Sequence, residues 1–237
     1  MQPGKVDNQP AYVLHSQPWR ETSLLIDVMT RDWGRLTLVA RSARRPQSTL
    51  RGLLLPFAPL SLAWFGKGEV RTLHAADWQG GVPQLSGLAL ICGFYLNELT
   101  MRLSARDDPN PAVFAAYDRA VRALATEPVY AAVLRRYEWA LLDALGLAPP
   151  LDTDDAHRAI DAAARYHAAP DAAPHRLDQS SAGVSGATLI AMAAGDYSDG
   201  TVRNEARAYL RDCLNHHLGG RSLATRELLQ AISALPD

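Results

Sequence analysis

Between Ala11 and Asp77, apolar and polar residues alternate in short runs, the pattern of strands with one face in a core and the other toward solvent. Five strands are predicted. Ala11–His15 is the first and Ser23–Thr30 the second, with Leu24, Ile26 and Val28 on one face and Asp27 on the other. Arg31-Asp32-Trp33-Gly34 reads as a turn, and Arg35–Ser42 as the third strand, with Leu36, Leu38 and Ala40 opposed to Thr37, Val39 and Arg41. After an interruption rich in Arg, Pro and Gly (43–59), Leu60–Phe65 and Glu69–Ala75 make a second hairpin around Gly66-Lys67-Gly68. An open sheet of this size would leave long unpaired edges. The expected closure is a five-stranded, partly closed Greek-key barrel of the oligonucleotide/oligosaccharide-binding type, an OB-fold.

Beyond Gly80 the apolar period changes to three and four. Leu85, Leu88, Cys92, Tyr95 or Leu96, Leu99 and Leu103 mark one helix face. Val113, Tyr117, Val121 and Leu124 mark a second, entered by Asn110 as cap and Pro111 at the first helical position. A third helix, Pro128 to Leu145, carries Val133, Tyr137, Leu141 and Leu145 and stops at Gly146. Residues 147–184 are rich in Ala, Asp and Pro with weak periodicity, and read as an irregular insertion with a short helix near Asp155 to Arg165. Helices resume over Thr188–Ala194, Thr201–His217 and Leu223–Ser233. The fold class is α+β, with an OB-fold barrel domain over residues 1–80 and an α-helical domain over 81–237.

With 237 residues, 48% hydrophobic and 21% charged, the chain can bury a sizeable core, and disorder of the whole chain is excluded. Cys92 and Cys213 are the only cysteines, so neither a disulfide framework nor a four-thiolate zinc site can be built, and a reducing, cytoplasmic compartment is the simpler assumption. The opening MQPGKVDNQP is too polar for a signal peptide. The uncharged stretch Trp78–Asn97 is broken by Gln79, Gly80, Gly81, Pro83 and Gln84, which makes its apolar end a buried helix rather than a membrane span.

Near-neutral total charge hides an asymmetry. Residues 1–80 hold ten basic against six acidic side chains, and the remainder fourteen against nineteen. A basic module joined to an acidic one points to a polyanion for the first and to protein contacts or solubility for the second, although an Arg- and Ala-rich base composition alone gives the same totals. Catalytic patterns have blander readings. Gly183-Val184-Ser185-Gly186 is one residue short of a nucleophile elbow and reads as a helix entry. Asp152-Thr153-Asp154-Asp155 lacks the Gly and distant Glu of a calcium loop and reads as helix capping. His216 and His217 point about 100° apart on a helix, with no third ligand at suitable spacing. No phosphate-cradling glycine motif occurs, and a binding protein is favoured over an enzyme.

The positive signal is Arg41-Ser42-Ala43-Arg44-Arg45-Pro46-Gln47-Ser48-Thr49-Leu50-Arg51, four guanidiniums in eleven residues at the end of a barrel strand. A guanidinium suits phosphate because its planar fork donates two hydrogen bonds at once. Arg35, Lys67 and Arg71 extend the track in this reading, whose alternative is a solvated loop. Trp19, Trp33, Trp64 and Phe65 are the aromatics that could stack bases, with Trp64 and Phe65 on opposite faces of one strand.

These residues carry a family resemblance. HSQPWRETSLLID, GRLTLVA, ARRPQSTLRGLLLPF and GKGEVRTL, with weaker echoes in LSGLALICGFYLNEL, LRRYEWALLDALGL and LGGRSLATRELL, resemble the RecO family of bacterial DNA repair proteins over nearly the whole chain except about 150–184. The resemblance implies an N-terminal OB barrel, a C-terminal helical domain and a mediator of recombinational repair. Such a protein binds single- and double-stranded DNA, anneals complementary strands and, with the partner RecR, helps load RecA onto strands covered by single-stranded-DNA-binding protein. It implies a cytoplasmic, nucleoid-associated protein. It also implies that the acidic, apolar tail of single-stranded-DNA-binding protein docks on the helical domain, for which Arg135, Arg136 and Arg102 are the candidate cations. Many members hold zinc with four cysteines that are missing between 147 and 184 here, so no zinc and no other cofactor is expected. Members often have Lys-Gly where this chain has Arg41-Ser42, which keeps the charge and restricts the turn. Without the resemblance, an RNA-binding barrel of translation would use the same strands and arginines.

Overall fold

A computed structural model describes residues 4–178 and 183–233. Five strands close into a barrel in the order β1-β2-β3-β5-β4: β1 (Val6–Trp19), β2 (Ser23–Thr30), β3 (Gly34–Ala40), β4 (Leu60–Phe65) and β5 (Val70–Trp78). All pairs are antiparallel except β3 with β5. The first strand is much longer than its apolar centre predicts, because it serves both edges of the sheet: its start pairs with β4 and its end with β2, with a bulge between Val13 and His15. Val13, Ile26, Val28, Leu38, Leu60, Leu62 and Trp64 fill the interior together with Leu54, and Leu50 from a short 3-10 turn (Thr49–Gly52) packs against it.

Gly34 closes the β2–β3 turn at φ +65°, and a Cβ there would stand 2.0 Å from the Asp108 carbonyl oxygen. Only glycine meets both demands.

The chain divides into two compact units, the first ending at Thr126 and the second beginning at Glu127. Helices α1 (Gly87–Leu103) and α2 (Pro111–Thr126) belong with the barrel. Asn110 caps α2 by accepting the Val113 N–H at 3.1 Å. Asn97 on α1 donates to the Leu14 carbonyl at 2.7 Å and accepts from the Tyr117 hydroxyl at 2.5 Å, so one buried amide ties β1, α1 and α2 together.

The second unit contains α3 (Tyr130–Ala144), α4 (Gly186–Ala193), α5 (Gly200–His217) and α6 (Ala224–Ser233), with a small sheet in the order β7-β6-β8 formed by β6 (Arg165–His167), β7 (His175–Arg176) and β8 (Val184–Ser185). Tyr137, Leu141, Leu189, Met192, Leu210 and Cys213 are buried there. Ser185 is the N-cap of α4, accepting the Thr188 N–H, in keeping with a helix entry at 183–186. Among the described residues, no helix is long and apolar enough to cross a membrane.

The insertion departs from expectation. The helix near Asp155 to Arg165 does not form, and Asp154 does not cap one. Its buried carboxylate instead accepts the Ala156 and Arg158 backbone N–H groups at 3.0 and 2.9 Å and the Arg158 Nε at 2.9 Å. The Asp155 N–H goes to the Pro174 carbonyl, and Thr153 bridges to Ala159. Partners outside the 155–165 segment (Asp154, Tyr166 and, farther along the chain, Pro174) take the donors that an α-helix would use, and the Ala-rich propensity loses to them. The Tyr166 hydroxyl, on a fully buried ring, accepts the Asp161 N–H. Gly186 lies so close to this turn that a Cβ would stand 1.9 Å from the Asp161 carbonyl oxygen.

The zinc that the resemblance implies for many relatives does not fit these residues. The insertion has no cysteine, and its central carboxylate is saturated by protein donors rather than open to a metal. Burial alone would raise the Asp154 pKa, but the hydrogen bonds and charge of Arg158 hold it below the ordinary carboxylate value. A carboxyl depressed in the folded state stabilises most when ionised. Its contribution should therefore be complete above about pH 4 and fade as the pH falls through the lowered value. Asp154→Ala is expected to lower the melting temperature at neutral pH, with the gap to wild type narrowing in acid. Chelators should leave the wild-type melting curve in place.

Candidate nucleic-acid interface

The segment after β3 leaves the barrel through Ser42, whose φ of +56° is the left-handed conformation that glycine adopts freely. The segment then folds back on the β1–β2 turn. The Arg44 N–H donates to the Thr22 carbonyl at 2.8 Å, and Arg44 Nη1 reaches the Arg20 and Glu21 carbonyls at 3.4 and 3.2 Å. The Arg45 N–H returns to the Ser42 carbonyl at 3.1 Å, and that of Ser48 to the Arg45 carbonyl at 3.0 Å. Two loops far apart in sequence thus form one rim. Arg41, Arg44, Arg45 and Arg51 are exposed, and among the described residues none forms an ion pair with a carboxylate.

The other barrel cations are placed differently. Arg35 is half-buried and donates through Nε and Nη2 to the Ser104 carbonyl at 3.2 and 3.0 Å; burial, and then the nearby Arg106 charge, lower its pKa. Arg71 Nη2 meets Asp107 Oδ1 at 2.6 Å. Arg106, which the sequence did not single out, donates to Thr37 Oγ1 at 2.6 Å and pairs with Asp27 at 3.3 Å. Thr37 in turn donates to Asp27 at 2.7 Å. These groups fasten the segment after α1 to the barrel wall, where the Asp107 N–H also donates to the Arg35 carbonyl.

Lys67 is exposed in the β4–β5 turn. Val70 lies opposite Thr37 and Thr72 opposite Val39, so that turn sits toward the Gly34 end of β3. Arg41 lies beyond the other end. The structure therefore brings together Arg41, Arg44 and Arg45, and with them Arg20, which sequence reasoning passed over because the first strand was expected to stop at His15 rather than run to Trp19.

In the first unit, Arg102 lies 3.6 Å from Glu98 one helical turn away. In the second, Arg135 pairs with Glu138, whose side chain is buried, while Arg136 is more exposed and meets Glu127 at 3.1 Å. Cys92 and Cys213 are buried on α1 and α5. Among the described residues, no group of three or more His, Cys, Asp or Glu side chains is placed to hold a metal ion.

The N-terminal model of recombination protein O matches residues 4–81, and its C-terminal model matches 84–227. The chain belongs to the RecO family. A protein named DNA repair protein RecO from Chromobacterium violaceum is 54% identical over 244 residues, covering 100% of this chain and 99% of the relative. RecO proteins from Laribacter hongkongensis and Aromatoleum aromaticum are 49% and 47% identical, with at least 98% of each chain covered. RecO membership, with the closed five-stranded barrel followed by helices, establishes the α+β OB-fold architecture and a place in DNA repair and recombination.

The two uses of arginine differ in their cost on removal. Arg35→Ala should lower the unfolding free energy by about 1.5–3 kcal/mol, the usual worth of a charged hydrogen-bonding group. Arg41→Ala, at an exposed position, should stay within about 0.5 kcal/mol of wild type in urea denaturation.

Proposed function

We propose that this chain is a recombination mediator. Its barrel, within residues 1–80, binds single- and double-stranded DNA and anneals complementary strands. With RecR, it helps load RecA onto DNA covered by single-stranded-DNA-binding protein, and no covalent step is needed. Such work belongs in the cytoplasm, at the nucleoid.

The observation that carries the reading is the exposed rim of Arg41, Arg44 and Arg45, with Arg51 following on the same segment, all four without carboxylate partners among the described residues. Cations without internal partners are available to displace counterions from phosphate. Neutralising phosphate lowers the repulsion between two strands, while contacts confined to the backbone leave the base edges free to pair. Arg35 and Arg71 support the rim indirectly, by fixing the barrel wall, and Lys67 reaches DNA only where the strand continues along the barrel.

The helical domain, 81–237, is proposed as the protein-contact module, which receives the acidic tail of single-stranded-DNA-binding protein. Arg136, exposed although it pairs with Glu127, is the more accessible candidate anchor on α3, with Arg135 secondary and Arg102 a separate candidate in the first unit. Arg135 is tied to a buried carboxylate, and removing it should cost about 3–5 kcal/mol of stability. Arg136→Glu is therefore the cleaner probe, and should weaken binding of the tail peptide without unfolding the protein. Unchanged peptide affinity would remove Arg136 from the contact.

Anisotropy of a labelled strand at several salt concentrations tests the rim. Changing Arg41, Arg44 and Arg45 together to Glu should weaken binding across sequences and make the salt slope shallower by roughly 2, at about 0.7 per contact for single strands. Normal binding by this variant would sink the assignment. A matched RNA strand that outcompetes DNA would move the reading to an RNA-binding barrel.

A further inference from the structure

Beside the arginine rim lies an open groove of about 510 Å³, lined by Trp19, Arg20, Thr22, Arg41, Ser42 and Thr72 among others. Its chemistry is mixed in a particular way. Trp19 stands at the end of β1 and is 41% exposed. Arg20 and Arg41 flank it, both exposed and neither in an ion pair among the described residues. Thr22, Ser42 and Thr72 add hydroxyls to the lining.

The groove is held in shape. Arg20 and Ser42 both occupy left-handed backbone conformations, at φ +52° and +56°, which side chains adopt only when the surroundings enforce them. Those surroundings are the hydrogen bonds from Arg44 to the Thr22, Arg20 and Glu21 carbonyls. Arg44 thus acts here by positioning Trp19 and Arg20 against Arg41. The β1–β2 loop and the face of strands two and three are also where barrels of this type meet oligonucleotides in general.

Resting on the reading of the rim as a DNA-binding surface, we propose that this groove holds one unpaired nucleotide, its base stacked on Trp19 and its flanking phosphates on Arg20 and Arg41. An aromatic face takes any base, so the site does not read sequence. It does read strandedness, because a paired base already has both faces stacked in its duplex and must be extruded to reach the ring. The other exposed tryptophans lack this setting. Trp33 stands edge-on to Trp64, with ring centroids 6.2 Å apart, beside the Arg31–Asp32 pair. Trp78 follows Asp77, whose carboxylate repels phosphate.

The test compares a labelled oligo-dT, an abasic strand of the same length and a duplex, across a salt series, for wild type, Trp19→Ala and Trp19→Phe. Stacking one base should make wild type bind oligo-dT about 5- to 150-fold more tightly than the abasic strand. Trp19→Ala should bring that ratio toward one, and Trp19→Phe, which keeps a ring, should retain much of it. Oligo-dT should quench part of the wild-type tryptophan emission, and that part should be missing in Trp19→Phe, a readout that does not depend on the alanine variant folding. A wild type that binds both strands alike with a steep salt slope overturns the groove and leaves the arginine rim standing. An undiminished ratio in Trp19→Ala also overturns it. No binding of any strand at low salt overturns the groove and the rim together.

Discussion

The parallel pairing of β3 with β5 is the constraint on which the first unit depends. Four antiparallel pairs can be laid down as two hairpins and an extended first strand, but only the β3–β5 contact removes the last edge and encloses the core. It demands that β1 reach both β2 and β4, which is why that strand runs for 14 residues and bulges in the middle. It also fixes where the loops emerge. The end of β1 and the end of β3 come out on either side of the start of β2 at one end of the barrel, so Trp19 and Arg20 meet the segment from Arg41 to Arg45. The rim follows from closure.

Charge is distributed by the same logic. A guanidinium taken out of water is tolerated only with partners, and the partly buried ones described have them, as with Arg35 on the Ser104 carbonyl, Arg71 on Asp107 and Arg135 on Glu138. Those arginines belong to the architecture. Among the described residues, Arg41, Arg44, Arg45 and Arg51 bond at most to backbone carbonyls, which leaves their charge uncompensated. Residues of one type and similar sequence surroundings thus divide into fasteners and free charges, and the free ones exchange a counterion for a phosphate without breaking an internal contact.

How far the sequence reveals this depends on the range of the interactions. Ser23–Thr30 and Leu60–Phe65 run over the residues their patterns predict, although Ile26 to Thr30 and Leu62 to Trp64 are buried on both faces rather than alternately. The outer parts of β1 escape, since Val6 to Pro10 is polar and stays in the sheet only through pairing with β4. The 155–165 segment misleads in the opposite sense. Its alanines favour a helix locally, while Asp154, Pro174 and Tyr166 claim its backbone from outside. Arg35 and Arg71 look like members of a basic track because their partners, Ser104 and Asp107, lie more than thirty residues away. The family motifs carry the fold across these gaps, but they do not say which arginine is free.

On the proposed reading of the chain as a strand-annealing mediator, that division bears on annealing. A surface that held many bases by their edges would compete with the complementary strand for the groups that pairing needs. A surface of phosphate contacts with a single stacking position does not. It shields the backbone charge of each strand, keeps one base unpaired at a time and leaves the neighbours with their pairing edges outward. When pairing advances, the stacked base is lost to the duplex and the salt-sensitive contacts remain, so the product gives up the stacking contribution that held the strand. On the proposed reading, release of the annealed duplex is then built into the same few residues that gather the strands: Trp19, Arg20 and Arg41 at the groove, and Arg44 holding them in place.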